Sequence, residues 1–321
     1  MLRFFILNSN QRDNYQRIFN NLSSSIEYEL IPDLKEPQNY FGNKFNVVIA
    51  TMIKDESEYI NEWISYYINL GVEHFFIYDN NSTDDLYKVL SSYINAGLVT
   101  LFFWPKNYGQ WDAFNHAKFL VDGKAKFLGF FDIDEFLVLK NDENIYKFLI
   151  RLNADQVLIP WKTFGYCGNY SKPKTLVTES YLYANNNKVE HVKHFFRPES
   201  VINAGVHCST PLNGAIVKME DGEIVSPNHI CENPKYLNAQ VNHYQTKSFE
   251  EFTERVSKGE AAPFVNKIVP PFSTIDLKSN LLNFDDSALR YVNSTKEIMN
   301  FHKNLPIDPH AYGLRQINQV L

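Results

Sequence analysis

The chain has 321 residues, of which 44% are hydrophobic and 15% aromatic, enough for one large or two smaller cores and too apolar for a disordered chain. Its net charge is -6 and no Lys/Arg block occurs, which argues against a nucleic-acid partner. Cys167, Cys208 and Cys231 form no CxxC pair, so neither a disulfide framework nor a structural zinc site is expected and a reducing, cytoplasmic setting fits.

The N-terminus has a short apolar run without a small-residue cleavage site, and no stretch reaches the roughly 20 apolar residues of a membrane span. The expected protein is soluble or at most peripheral at the inner face of a membrane. Residues 1–43 read as a small βαβ-like unit: strand "LRFFIL", a polar helix around Asn14 to Leu22, strand "IEYELI", then a Pro-containing link.

From Phe45 the pattern becomes a repeated strand and helix. "FNVVIATMI" is a β-branched run of the kind buried on both faces of a sheet. Ile60, Trp63, Ile64, Tyr67 and Ile68 then fall at helical spacing, with Asp55 and Glu58 as an expected capping pair and Gly71 as a stop. Strand "VEHFFIYD" and a helix carrying Leu86, Val89, Leu90, Tyr93 and Ile94 follow. After them come strand "LVTLFFW", a helix from Gln110 to Val121, and "KFLGFFDID" as a fourth strand.

This alternation predicts an α/β fold with a mostly parallel sheet flanked by helices, whose ligands bind at the carboxyl ends of the strands. Four polar segments converge there: Thr51 to Glu56, Asp79 to Asp85, Pro105 to Asp112 and Asp132 to Glu135. Thr51, Lys54, Glu56, Asp79 and Asn80 are candidates for holding a nucleotide. Beyond Asp155 shorter strands and irregular segments follow, then a helix with Ser248 and Glu251 as a capping box and Gly259 as a stop. The main domain is expected to span residues 44–265 and a polar helical segment residues 266–321.

Asp132, Asp134 and Glu135 interrupt the apolar run "FFDIDEFLVL". Two carboxylates ~4 Å apart repel by about 4 kcal/mol at an effective dielectric near 20, so such a strand end calls for a cation or a shared proton. Mn²⁺ or Mg²⁺ is the simplest remedy, since hard cations take carboxylate oxygens and leave places for phosphates. On a continuous strand Asp132 and Asp134 share a face, whereas Glu135 lies on the other and is expected to meet a buried Lys, Arg or backbone NH. The alternative is that these acids merely cap the next segment.

His191, His194, His207, His229 and His243 all lie in the second half, and His207 and His243 are the best candidates for a further metal ligand. Lys193 and Arg197 could neutralise a diphosphate, or else occupy a solvated face. Aromatic residues from Trp161 to Tyr170 offer stacking faces for a sugar or simple core packing. No GxSxG elbow, P-loop or GxGxxG fingerprint occurs, which weighs against hydrolase and dinucleotide readings.

The segments "VVIATMIKDESEYINEWISYYINLGVEHFFIYDNNSTDD", "FLGFFDIDEFLVL", "WKTFGYCG", "VEHVKHFFRPESVINAGVH" and "NHYQTKSFEEFTERVSKG" resemble, in order, the glycosyltransferases of family 92 and the related family-2-like enzymes of the GT-A fold. The resemblance implies a nucleotide-diphosphate-sugar donor, a UDP-sugar of the galactose type, Mn²⁺ or Mg²⁺ at the DxD motif, and inverting transfer to a glycan or glycolipid acceptor. It further implies Asp132 at the ribose or metal, Asp134 and His207 at the metal, Asp79 at the nucleoside, Lys193 at the diphosphate and Glu179 as the base. With the Asn-, Lys-, Phe-, Tyr- and Ile-rich usage, it suggests bacterial surface-polysaccharide synthesis. Rival readings are a retaining transferase, a sugar nucleotidyltransferase or a non-catalytic carbohydrate-binding homologue.

Overall fold

The computed structural model describes residues 2–4, 28–30, 45–185, 187–258 and 283–305. Strands β1 (Leu2–Phe4) and β2 (Tyr28–Leu30) pair in parallel. The helix expected between them, and Gly259 as a helix stop, lie outside the described residues.

The main sheet opens with β3 (Phe45–Ile53), β4 (His74–Asp79), β5 (Val99–Phe103) and β6 (Ala125–Phe130), ordered β5-β4-β3-β6 and all parallel. The strand alternation sorts their side chains into two cores. Val47, Ile49, Phe75 and Ile77 face α1 (Ile60–Asn69), α2 (Leu86–Asn95) and α4 (Ile145–Leu152), which bring Trp63, Tyr67, Leu90 and Phe148. Val48, Ala50, Phe76 and Tyr78 face α3 (Gln110–Val121) through Ala113, Phe114 and Ala117. Burial on both sides is what the unbroken apolar runs in these strands require.

The second half reverses direction. β10 (Val189–Phe196) runs antiparallel to β6 and to β8 (Gln156–Thr163). β15 (Ala239–His243) lies parallel to β8 and antiparallel to β7 (Glu135–Leu139), so the sheet is mixed. Gly129 makes the β6–β10 contact possible: a Cβ there would stand 2.5 Å from the Phe195 ring. Short strands β11 (Val201–Asn203), β12 (Thr210–Pro211), β13 (Val217–Met219) and β14 (Ile230–Glu232) and the four-residue helix α5 (Val177–Ser180) fill the connections.

The Ser248 and Glu251 capping box forms as expected at α6 (Phe249–Lys258): Ser248 Oγ accepts the Glu251 NH at 3.2 Å and Glu251 Oε2 accepts the Ser248 NH at 3.0 Å. Gly71 and Gly97, both at positive φ, follow α1 and α2. The Asp55 and Glu58 pair does not cap α1, which begins at Ile60 with Tyr59 as its cap residue. Asp55 instead sits at φ 55° and accepts from Thr83, and Glu58 pairs with Lys172.

The chain returns at β16 (Asn283–Phe284), paired with β9 (Tyr183–Ala184), and ends in α7 (Val292–Lys303), which packs on α1. No described helix is long and apolar enough to cross a membrane.

Candidate active site

The four expected loops do converge. Asn80 donates its backbone NH to Ile53 O at 2.7 Å and its side-chain amide to Trp104 O at 2.8 Å. Asp55 N donates to Ser82 Oγ at 2.9 Å, which ties the β3 end to the β4 end. Gln110 Nε2, opening α3, donates to Asp132 Oδ1 at 3.3 Å and joins the β5 end to the acids.

The acids themselves are not on one strand. β6 stops at Phe130, and the backbone NH of Glu135 donates to Asp132 O at 3.1 Å, closing a turn before β7. Phe131 and Ile133 are buried, so the turn sends its apolar side chains to the core and its acids to the other side. Trp63 Nε1 donates to Asp132 O at 2.9 Å and fixes the turn against α1. The expectation that Asp132 and Asp134 share a face opposite Glu135 is therefore corrected: a turn, unlike a strand, brings Asp132 and Glu135 together.

Lys193, fully buried in β10, meets both: its Nζ is 2.8 Å from Asp132 Oδ2 and 3.1 Å from Glu135 Oε2. Glu135 Oε2 also accepts the Asp132 NH at 2.9 Å, so the expected buried lysine and backbone partner of Glu135 are both present. Burial pushes the Glu135 carboxyl up to about 8, with Lys193 opposing and Asp132 adding to the rise. Burial alone would lower the Lys193 ammonium, but the two carboxylates outweigh it and raise it. One lysine is thus firmly protonated between two acids.

Asp134 takes a different partner. Its Oδ2 lies 3.4 Å from His243 Nε2, at the end of β15, and its backbone carbonyl accepts from the Tyr244 NH at 2.8 Å. Burial pushes its carboxyl up, yet His243, with Lys247 and Arg255, outweighs this and holds it well below the usual carboxylate range. The same contact raises His243 against the effect of burial. Asp134, Glu135 and His243 each offer a ligand atom within 4.8 Å of the others, and this is the metal-sized group among the described residues. Glu135 Oε1 is buried with no hydrogen-bond partner, so one carboxylate oxygen is free for a cation.

His207 lies outside that group. Its Nδ1 faces Val192 O at 3.0 Å, its ring stacks on His191 at 4.8 Å, and burial beside Lys193 pushes it down to about 3. The group that the fold assembles differs from the expected set of Asp132, Asp134 and His207: it keeps Asp134 and adds Glu135 and His243, while Asp132 is engaged by Lys193 and Gln110. The Trp161 ring lies tilted against His243, with centroids 4.0 Å apart, and 5.2 Å from the His191 ring, so one aromatic side chain borders the site. Tyr170, 68% exposed, sits apart against Phe249 and Tyr166.

The remaining candidates divide. Asp79 is fully buried, accepting from Ser82 N at 2.8 Å and from the Tyr87 hydroxyl at 2.8 Å, so the fold spends it on the turn after β4. Thr51 is buried within β3, its hydroxyl without a partner, while Lys54 is exposed. Glu56 accepts the Tyr59 and Ile60 NH groups through its carbonyl. Lys193, expected at a diphosphate, is enclosed and doubly engaged by Asp132 and Glu135. Glu179, the expected base, accepts the Leu176 NH at 3.2 Å and pairs with Lys296 at 2.7 Å.

Glu190 escaped the sequence reading. Its carboxylate lies 3.4 Å from Thr163 Oγ1 and 2.7 Å from Asn187 Nδ2, and burial raises it above the ordinary carboxylate range, with Asn187 and the His243 charge opposing. Its only signal in sequence was an acid in the "VEHVKHFF" run, which reads as ordinary strand alternation.

A family model described as "Glycosyltransferase family 92" matches residues 43–270. The chain is 27% identical over 230 residues to the "Glycosyltransferase family 92 protein Os08g0121900" of Oryza sativa subsp. japonica, covering 68% of this chain and 36% of that protein. It is 26% identical over 185 residues to the "Galactan beta-1,4-galactosyltransferase GALS2" of Arabidopsis thaliana, covering 51% of this chain and 36% of that protein. The chain thus spans about a third of the length of these relatives. Among solved structures, S. aureus TarS 1-349 is similar with 15% identity and a TM-score of 0.33, covering 48% of this chain and 47% of that one.

Proposed function

The chain belongs to glycosyltransferase family 92, and from that premise we propose that it moves a hexose from a nucleotide-diphosphate donor to a hydroxyl of a glycan or glycolipid. The observation that carries this reading is the Asp134, Glu135 and His243 group at the carboxyl edge of the sheet. The relatives named as galactosyltransferases favour galactose as the sugar, and a UDP carrier is what the sequence resemblance implies.

Two carboxylates and one imidazole suit Mn²⁺ or Mg²⁺, and the free Glu135 oxygen supports the fit. When bound there, such a cation neutralises charge on the departing diphosphate. Lys193 and Gln110 hold Asp132 oriented at the mouth of the site, where its carboxylate is one-third exposed and can accept from a ribose hydroxyl. Trp161 supplies an apolar face for a sugar ring.

Glu190 takes the acceptor's proton in this reading, because its carboxylate stands 3.4 Å from the hydroxyl of Thr163, the residue that pairs with His243 between β8 and β15, and burial raises its proton affinity. The acceptor oxygen bonds to the anomeric carbon as the carbon–oxygen bond to the diphosphate breaks, through an oxocarbenium-like transition state with inversion. Three free cysteines suit a reducing cytoplasmic setting, and the residue usage suits a bacterial surface polysaccharide.

A screen of nucleotide sugars for Mn²⁺-dependent donor hydrolysis tests the proposal. UDP-galactose is expected to be consumed and chelation to stop the reaction. Absence of turnover with every donor, Mn²⁺ and a panel of galactan and glycolipid acceptors would overturn it.

A further inference from the structure

The loop between β5 and α3 is braced from several sides. Trp104 Nε1 donates to Gly109 O at 3.1 Å, Asn80 Nδ2 donates to Trp104 O at 2.8 Å and to Lys106 O at 3.0 Å, and Lys106 pairs with Asp112. Gly109 leaves no room for a side chain, since a Cβ there would stand 2.8 Å from Trp104 Nε1 and 2.9 Å from Lys106 Cβ. Tyr108 is held at φ 58°, in the left-handed region, where a non-glycine residue carries a conformational cost of the kind that gathers at ligand clamps.

This braced loop presents aromatic rings to water. Tyr108 is 57% exposed and Trp111 60%, whereas Trp63 and Trp104 are buried and Trp161 is half-buried. A single exposed apolar side chain is ordinary. Two large rings three positions apart on a fixed backbone are a preorganised face, because much of the ordering cost is met before any ligand arrives.

The face adjoins the acids. Gln110, between the two rings, donates to Asp132 Oδ1 at 3.3 Å. Asn115 lies one helical turn after Trp111, on the same side of α3; its amide donates to Trp111 O and to Ala204 O, and its Oδ1 accepts the Ala204 NH at 2.9 Å. The segment that leaves Ala204 carries His207, whose ring is 5.2 Å from Trp161. Ala204 and His207 are three residues apart, so this segment bridges at most about 11 Å. Trp161 and Trp111 thus stand by the two ends of one short wall, the first against His243 and the second at the rim.

We propose that Tyr108 and Trp111 form an outer sugar-stacking platform for the acceptor glycan, holding units beyond the one that reacts beside Trp161. This rests on the transferase reading above. Sugar rings carry apolar C–H faces that pack on flat aromatic side chains, and the Tyr108 hydroxyl adds a hydrogen-bonding group. The competing occupant of an aromatic face is a nucleotide base. Trp111 shares its side of α3 with the Ala204 contact, toward the half of the fold that bears Trp161, and this favours the acceptor.

The test presents an array of β-1,4-galactan and other plant and bacterial oligosaccharides to the full chain with Mn²⁺ and UDP, then measures KM for the best-bound glycan and for UDP-galactose. Trp111→Ala is expected to weaken oligosaccharide binding and raise the glycan KM about 5- to 10-fold, while the UDP-galactose KM stays within about twofold. The loss should grow with glycan length and vanish for a monosaccharide acceptor. Trp111→Phe should stay within about threefold of the parent chain, and Phe301→Ala, which removes an exposed ring on α7, should match the parent. If Trp111→Ala unfolds early, Trp111→Leu, which keeps apolar bulk without a flat ring, serves for the same comparison. Unaltered glycan binding in Trp111→Ala would overturn the platform and leave the transferase reading intact. A raised UDP-galactose KM with an unchanged glycan KM would overturn it by giving the rings to the nucleotide. A parent chain that hydrolyses UDP-galactose but binds no oligosaccharide would overturn the platform alone, and one that consumes no donor and binds no glycan would overturn both.

Discussion

His243 Nε2 stands 3.4 Å from Asp134 Oδ2, and this contact joins the last strand of the sheet to the turn after β6. If the pair holds a cation, Asp134→Asn and His243→Ala should each lower Mn²⁺ affinity by more than the ~10–100-fold that loss of an outer-shell partner costs. His207→Ala should leave Mn²⁺ affinity unchanged. Paramagnetic resonance of bound Mn²⁺ reads this directly, and loss of binding in His207→Ala with retention in His243→Ala would reverse the assignment.

Lys193→Met strands two buried or half-buried carboxylates. Removing one partner of a buried ion pair costs about 3–5 kcal/mol, so the unfolding midpoint in urea should fall sharply. Lys296→Met breaks the more exposed pair with Glu179 and should cost at most about 1 kcal/mol. Equal losses would show that Lys193 is not the buried counter-charge that the geometry indicates.

Glu190→Gln should lower kcat by about 100-fold or more while the fold persists, the usual range for losing a general base. Glu179→Gln should keep its activity, since Glu179 caps α5 and holds α7. Full activity in Glu190→Gln would remove it as the base.

Acid should weaken the fold through its buried histidines. Burial pushes His74 down to about 4 and His194 down to about 3, so both are neutral in the folded chain. Unfolded, each takes up a proton near pH 6.5; the unfolded state therefore binds more protons below that pH, and stability falls as pH drops. For His74 the loss approaches about 3 kcal/mol as the pH falls from about 6.5 to about 4. His74→Gln should flatten the dependence of urea stability on pH across that window.

Much of the fold was legible because β-branched runs and helical stripes repeat from Phe45 to Phe130, and burial on both faces leaves few other arrangements. The convergence of four loops followed from parallel strands alone. What escaped was the path of "DIDE". A period of two cannot distinguish a strand from a tight turn over four residues, and the choice reversed which acids are neighbours. The histidines escaped for a related reason: His207 and His243 are equally plausible by composition, and only the pairing of β15 with β7, which sets His243 opposite Glu135, separates them. Lys193 resembled a ligand contact because its neutralising role requires two acids 60 or so residues earlier, a relation no local pattern contains.

That separation also bears on how the chain is made. Asp132 leaves the ribosome 61 residues ahead of Lys193, and the antiparallel strand that carries the lysine must dock against β6 before the charge arrives. During that interval a nascent sheet of β3 to β6 can close its two apolar faces, but the acidic turn has no counter-charge and must stay in water. The order of synthesis therefore imposes an order of burial: the parallel half condenses first, and its acidic edge remains open until the second half has been translated.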